Sequence, residues 1–441
     1  MFEDLSGWRL SGDIDFTFPS GFSLQAGEFV VVAASPDDMR AVYGLTNILG
    51  PYTGALPNDS GRVRLRNNLD AIRLEVNYSD QPPWPVAADG AGHSLVLARP
   101  SYGEDDPRAW GSSELIGGSP GTTDAWRPTP LRHVVLNEFL AHTDDPELDF
   151  IELYNNSNSA VDLSGCWLTD DATTNRFRIP DNTWIAGRGF VAFDQNQLGF
   201  ALDSGGERIY FLDADATRVL DAVRFGGQEN GVSSGRYPDG GPTIRRSSEP
   251  TPGAANSGWK IEPVVINEIM YHPISEDDDD EFVELHNQSA QAVDVSDWRF
   301  VEGIDFRIPK GTVIPAGGFL VVAKNVARLR ENYPQLTTAN SVGDYDGSLA
   351  NGGERIALTR PDLLVRTNDL GNLVTNTIRI LVGEVTYWDG GRWGRWADGG
   401  GSSLELVDPR ADPTLAMNWA DSDESQKAPW TTVEFTGRLD N

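Results

Sequence analysis

Asp4–Leu10 reads DLSGWRL, and the phrase returns as DLSGCWL at Asp162–Leu168 and as DVSDWRF at Asp294–Phe300. Each copy runs on to a Phe-led apolar stretch: GEFVVVAA, RGFVAFDQ and GGFLVVAK. From Trp8 to Phe29 is 21 residues, from Trp167 to Phe190 is 23, and from Trp298 to Phe319 is again 21. On this spacing Trp8, Trp167 and Trp298 share one register and are expected in the core or between sheets. A later phrase, LPNDSGRVRL, LDSGGERIYF and LANGGERIAL, keeps six residues between Leu56 and Arg62, Leu202 and Arg208, and Leu349 and Arg355. Further on, EVNYSDQPPWPVAADGAGHSLVL pairs with EVTYWDGGRWGRWADGGGSSLEL, and the middle copy keeps a shorter VRFG…GRYPDGG. Ordered self-similarity of this kind marks a tandem repeat. The expected domains are 1–126, 127–258 and 259–430, with 431–441 opening a further one.

Within each copy the apolar pieces are short, rich in Val, Ile, Phe and Tyr, and bounded by Gly, Pro, Asn and Asp. FIELYN puts Ile151 and Leu153 on one face and Phe150, Glu152 and Tyr154 on the other, the period of a strand. Such strands, about seven per copy, predict an all-β chain of tandem antiparallel β-sandwiches. The one helical stretch, Val326–Pro334, falls in an insertion that the second copy lacks, and reads as a surface elaboration. Copies two and three open with VVLNE and VVINE, whereas the first begins at DLSGW. Its missing opening and E-L-x-N strands would leave an unpaired sheet edge. The chain therefore reads as a fragment of a longer frame, with any signal peptide upstream.

Composition narrows the function. Of 441 residues 39% are hydrophobic, enough for real cores, and 46 Gly with 27 Pro favour many short elements joined by turns. A formal charge of −31 repels phosphate backbones, so no nucleic-acid partner is expected. The lone Cys166 rules out an intrachain disulfide and a Cys-ligated zinc site. No run approaches the ~20 apolar residues of a membrane span.

Several ordered motifs resemble the lamin tail domain, an immunoglobulin-like β-sandwich. They are V-V-[IL]-N-E at Val134–Glu138 and Val264–Glu268, [FI]-[IV]-E-L-x-N at Phe150–Asn155 and Phe282–Asn287, the D-[LV]-S phrase, the I-P-x-G region, and G-x-x-N at Gly253–Asn256. The resemblance implies immunoglobulin-like sandwiches, no enzymatic activity, and a place in an exported or cell-surface bacterial protein. It also implies a structural array for adhesion, spacing, or contact with a protein or glycan partner. Two alternatives stand beside that expectation: an accessory region presenting glycan to a catalytic domain elsewhere, and a calcium-stiffened adhesin arm.

Chemical candidates are few. Asp277, Asp278, Asp279 and Asp280 offer carboxylates to Ca²⁺, the one cofactor in view. They lack the fixed alternation and turn glycine of a calcium loop, so a solvated loop is the competing reading. GDYDGS, Gly343–Ser348, lacks the third acid of such a loop and reads as a turn. Glu138 with Glu152, and Glu268 with Glu284, could be taken for paired catalytic carboxylates. Because the same acids recur in each sandwich, beside Asn137 and Asn267, they read as hydrogen-bonded structural groups. Trp388, Trp393 and Trp396 crowd one Gly-rich loop and are candidates for ligand contact, since exposed aromatics stack on sugars or anchor proteins.

Overall fold

The computed structural model describes residues 2–144, 146–172, 176–367 and 372–422, so the segment 431–441 and residues 423–430 lie outside it. Two compact units are present, Met1–Trp259 and Lys260–Asn441.

The DLS phrase recurs because it builds one turn three times. Asp4, Asp162 and Asp294 accept the amide N–H of Ser6, Ser164 and Ser296 at 2.9, 2.9 and 2.8 Å. The three serine hydroxyls then accept the N–H of Gly21, Asn182 and Gly311 at 2.8, 2.9 and 2.8 Å. Those donor loops turn through positive φ (78°, 65° and 81°), where Gly or Asn is tolerated. The residue after the turn starts a strand.

In the second repeat, Phe190–Asp194, Phe150–Asn155, Val134–Leu140, Ser234–Arg236 and Ile244–Arg246 form one antiparallel sheet. Arg176–Arg178, Trp167–Thr169, Arg208–Leu212 and Val219–Arg224 form the facing sheet. Leu136, Ile151, Leu153, Leu168, Ile209 and Phe211 fill the space between. FIELYN is buried on both faces, not one. Its outer face carries Tyr154 stacked on Phe190 at 4.8 Å, and the loop at Gly240 closes over Tyr154.

The tryptophan register needs correction. The amides of Trp8, Cys166 and Trp298 each donate to the residue three before, at Leu5, Leu163 and Val295. Cys166 therefore occupies the position that holds Trp8 and Trp298, is 1% exposed, and sits in the core with its thiol pushed up to about 12 by burial. Trp167 falls one residue later and turns outward. Spacing counted from the indole hid this one-residue slip.

In the first repeat, Thr53–Gly54, Ile14–Thr17, Arg9–Gly12, Ser60–Arg66 and Ile72–Ser79 make one sheet, and Leu95–Leu97 pairs only with Trp110–Ser112 among the described residues. Its loop 80–92 packs on the second repeat. Ala87 and Ala91 pack with Tyr210, Leu212 and Val219, and Trp167 lies partly buried against them. Asp89 pairs with Arg208, and Asp80 with Arg224 at 2.5 Å. Buried Glu114 meets Arg218 at 2.9 Å, and Ile116 N–H donates to the Thr217 carbonyl. His93, 5% exposed, stands at the centre: Nδ1 donates to the Ser113 carbonyl at 2.7 Å while Nε2 accepts the Val219 N–H at 3.0 Å. Exposed ion pairs contribute about 0–1 kcal/mol. Stranding one member of a buried pair such as Glu114–Arg218 costs about 3–5 kcal/mol, so the buried polar centre fixes this joint.

The third repeat repeats the sandwich. Ser341–Gly343, Phe319–Ala323, Phe282–Asn287, Val264–Met270, Leu404–Leu406 and Trp419–Asp421 face Phe306–Arg307, Arg299–Glu302, Gly353–Thr367 and Leu373–Trp388. The insertion is a crossover: helix Val326–Asn332 returns the chain so that Ser341–Gly343 pairs parallel to Phe319–Ala323. Leu329, 1% exposed, joins Met270, Phe282 and Val321 in a small second core, so the helix covers the sheet and is more than surface decoration. The hairpin Gly353–Thr367/Leu373–Trp388 outruns its neighbour, because Arg299–Glu302 stops pairing at Thr359.

Burial holds the His93 pKa below 6.5, since a charged ring cannot accept the Val219 N–H. The joint is intact above pH 6.5 and loses stability as pH falls from there through the lowered value. Hydrogen exchange at Val219, corrected for intrinsic rate, should quicken between pH 7 and 5, and His93→Gln should remove most of that dependence. Unchanged protection across this range contradicts the assignment.

Candidate functional site

Pairing passes from Leu136–Leu153 directly to Glu138–Glu152, so Asn137 is the extra residue of a bulge. The bulge sends successive polar side chains into one buried cluster. Asn137 Nδ2 donates to Glu152 Oε1 and Asp239 Oδ1, both at 3.1 Å, and Asn137 Oδ1 accepts Gly240 N–H at 3.0 Å. Glu138 accepts the Ser233 hydroxyl at 2.6 Å and both the N–H and hydroxyl of Thr251. Glu152 Oε2 accepts the Gly253 N–H at 2.6 Å, and Asn256 Nδ2 donates to the Asn137 and Arg236 carbonyls. The two acids and Asn137 thus bind the G-x-x-N closing segment to the first two strands. In the third repeat the bulge recurs at Asn267, which donates to Glu284 Oε1 at 3.0 Å while Ser403 donates to Glu268 at 2.5 Å.

The asparagines that end these strands close a turn. Asn155 Nδ2 donates to the Ser159 and Ala186 carbonyls, and Asn287 Nδ2 to those of Gln291, Ile314 and Pro315. Sequence reasoning missed the acids just before the strands. Asp149 accepts the Leu202 N–H at 3.0 Å, and Glu281 accepts the Leu349 N–H and the Tyr345 hydroxyl, both at 2.9 Å. Their shared place ahead of Phe150 and Phe282 was the available signal; the run DDDDE disguised Glu281 as loop.

The four aspartates do not converge. Asp277 and Asp280 face the Arg328 guanidinium, each at 2.7 Å; Asp279 accepts Asn325 Nδ2 and Asp278 the Ser348 hydroxyl. Asp278–Asp280 forms a single helical turn whose first N–H groups are capped by Asp277. Among the described residues no three His, Cys, Asp or Glu side chains are placed to share an ion. These carboxylates fit an arginine of the inserted helix, not a calcium ion. Asp344 in GDYDGS caps the same helix through the Val326 N–H, as a turn residue does.

The tryptophan loop divides. Trp393 is 7% exposed and tilts against Trp419 at 6.4 Å, which makes it a core residue and corrects its reading as a ligand contact. Trp388 and Trp396 are 54% and 66% exposed. The loop is clasped to the opening strand by His272, whose Nδ1 meets Asp398 Oδ1 at 2.6 Å and whose Nε2 lies 3.5 Å from Glu276. Two exposed indoles on a fastened loop form the surface best suited to contact.

These features define a class: β-sandwich modules of immunoglobulin-like type, closed by buried Asn–Glu bulges. The lamin tail domain family model matches residues 127–227 and 260–377, within the second and third repeats, so these two repeats are lamin-tail-like domains. None of the curated proteins matches the chain. Among solved structures, a DUF4876 family protein from Bacteroides thetaiotaomicron VPI-5482 is similar at 12% identity and a TM-score of 0.24, over 66% of this chain and 92% of that one. No helix among the described residues is long and apolar enough to cross a membrane.

Burial raises the Glu152 carboxyl from 4.5 to about 7, with Glu138 opposite adding to the shift. A raised acid stabilises the fold below its unfolded value and loses that contribution as pH rises through about 7. Melting temperature should therefore fall between about pH 4.5 and 7 and level off above, and Glu152→Gln should flatten that slope. A variant with the wild-type slope excludes Glu152 as its source. Separately, Arg328→Ala should lower the melting temperature by leaving Asp277 and Asp280 in mutual repulsion, while millimolar calcium leaves the wild type unmoved. A calcium-specific rise in the wild type, abolished by Asp277→Asn with Asp280→Asn, reinstates the metal reading.

Proposed function

We propose that the chain is a non-catalytic structural and binding array of an exported or cell-surface bacterial protein. One observation carries the reading: the recurring buried acids are engaged by their own module, while the exposed indoles Trp388 and Trp396 are presented outward. A hydrolytic pair needs two carboxyls facing a substrate cleft. Glu138 and Glu152 instead hold Thr251 and Gly253 of the closing segment, which blocks the face where a substrate would lie. Joined modules that protect their polar groups suit a load-bearing or spacing role. The exposed indoles also favour a second reading, an accessory region that presents glycan to a catalytic domain elsewhere.

Export is tested on intact cells of the producing organism with a membrane-impermeant amine reagent. Lys310, whose side chain is 82% exposed, should be labelled while a cytosolic marker stays protected. Labelling that appears only after lysis overturns the surface assignment.

A further inference from the structure

Residues 75–113 and 384–422 align without a gap, matching Asp80 to Asp389, Trp84 to Trp393, Asp89 to Asp398 and Trp110 to Trp419. Their geometry agrees: Trp84 and Trp110 lie 6.1 Å apart at 39°, Trp393 and Trp419 6.4 Å apart at 42°. In the first repeat this loop is covered by protein, with Val86, Ala87 and Ala91 packed against Tyr210, Leu212 and Val219 of the second repeat. In the third repeat the frame is kept and those positions change. Arg395, Trp396 and Gly400 replace Val86, Ala87 and Ala91, while Trp388 and Arg392 replace Ser79 and Pro83. The two indoles and the two guanidiniums are all exposed. The changes are also coordinated. A Cβ at Gly400 would lie 2.9 Å from the Trp396 ring, so loss of the Ala91 methyl makes the seat on which that indole rests. A Cβ at Gly353 would lie 3.1 Å from the Trp388 ring, which is seated in the same way. Asp421 fixes the Trp396 backbone by accepting its N–H and that of Ala397, both at 2.9 Å.

We propose that the Trp388–Gly401 loop binds an acidic polysaccharide, its indoles stacking on the apolar faces of pyranose rings while Arg392 and Arg395 take the carboxylates those rings carry. A ring seated against glycine on one side and open on the other suits a flat apolar partner. A guanidinium without an acid of its own suits a carboxylate, which it meets with two parallel N–H groups. Among the described residues neither Arg392 nor Arg395 meets a carboxylate. The loop's own acids are largely spoken for: Asp398 is held by His272 Nδ1 at 2.6 Å and Asp421 by the two backbone amides, which leaves Asp389 alone to oppose the two arginines. At physiological salt, charges beyond about 8 Å are largely screened. The loop's local charge therefore outweighs the net −31 of the chain at the point of contact. A chain of uronic-acid pyranoses combines a flat apolar ring face with a carboxylate in every such unit, which is the pairing that this loop presents.

The assignment rests on the binding-array reading and is tested on the full chain by isothermal titration calorimetry. The probes are polygalacturonate, alginate and hyaluronate, each beside its carboxyl-reduced form. At least one acid form should bind, and more tightly than its reduced form by roughly tenfold or more. Trp396→Ala should lower that affinity by roughly tenfold, a loss typical of an anchor residue, and leave its dependence on salt in place. Arg392→Ala with Arg395→Ala should lower it too and remove most of the salt dependence. All three positions are exposed, so the variants should keep the wild-type melting temperature. Binding to none of the polymers, equal binding to the reduced forms, or binding indifferent to Trp396 overturns the proposal. Self-association that Trp396→Ala abolishes, in place of glycan binding, would make the loop a protein contact and overturns it as well. Lys310 labelled on intact cells would in each of these cases leave the array reading standing.

Discussion

Burying two carboxylates opposite each other on the outer face of a sandwich sheet, beneath the closing segment, is the constraint around which these modules are organised. Glu138 and Glu152 are 1% and 0% exposed, and their register brings their side chains to the same face. A buried carboxylate without donors is strongly unfavourable, whereas one that accepts several N–H and O–H groups is tolerated. The bulge at Asn137 resolves the conflict by supplying a donor and opening room for the closing segment, whose backbone N–H groups complete the shell. The central strand pair of the sheet, its irregularity and the domain's last segment are thereby fixed by a single electrostatic requirement. The same logic holds the loop before the second strand, where Asp149 and Glu281 receive backbone amides from the far side of the module.

Wherever a motif is satisfied by its own local hydrogen bonds, it could be read from the sequence. The D-x-S phrase and the E-L-x-N asparagines recur because each side chain answers a backbone group a few residues away, so type and spacing are preserved together, whereas the N-E pair shows in the sequence only by its repetition, its partners Ser233, Thr251 and Ser403 lying far along the chain. The strand pattern and the all-β class followed from the same periodicity. What could not be read depends on tertiary placement. Cys166 and Trp167 are neighbours, and only the amide pairing of Cys166 with Leu163 shows which of them enters the core. The four aspartates look like a metal loop until the inserted helix brings Arg328 over them. Trp393 and Trp396 lie three apart in one loop, yet a facing Trp419 draws only the first inward. The joint built on His93, Glu114 and Arg218 joins residues more than a hundred apart and has no local signature.

The same scaffold position serves different chemistry in each copy. His142 gives Nδ1 to the Gln228 carbonyl, a neutral bond, whereas His272 meets a carboxylate and has its pKa raised by Asp398 and Glu276 against the opposing effect of burial. Similarly, the helix Pro36–Tyr43 of the first repeat buries none of its residues, while its counterpart in the third seals a core over the sheet. Repetition fixes the frame, and the loops diversify within it.

The long hairpin of the third repeat raises a question of solubility. Beyond Thr359 its two strands continue without a third partner among the described residues, and Leu363 and Leu373 are 65% and 75% exposed. Such a ribbon is the kind of template on which foreign strands add and fibrils seed. Pro361 enters the ladder two residues past the last neighbour, opposite Arg379. A proline has no N–H to offer an incoming strand and is tolerated only where no further pairing is needed. Pro361 therefore leaves the ladder one backbone donor short just past the point where the third strand stops covering it.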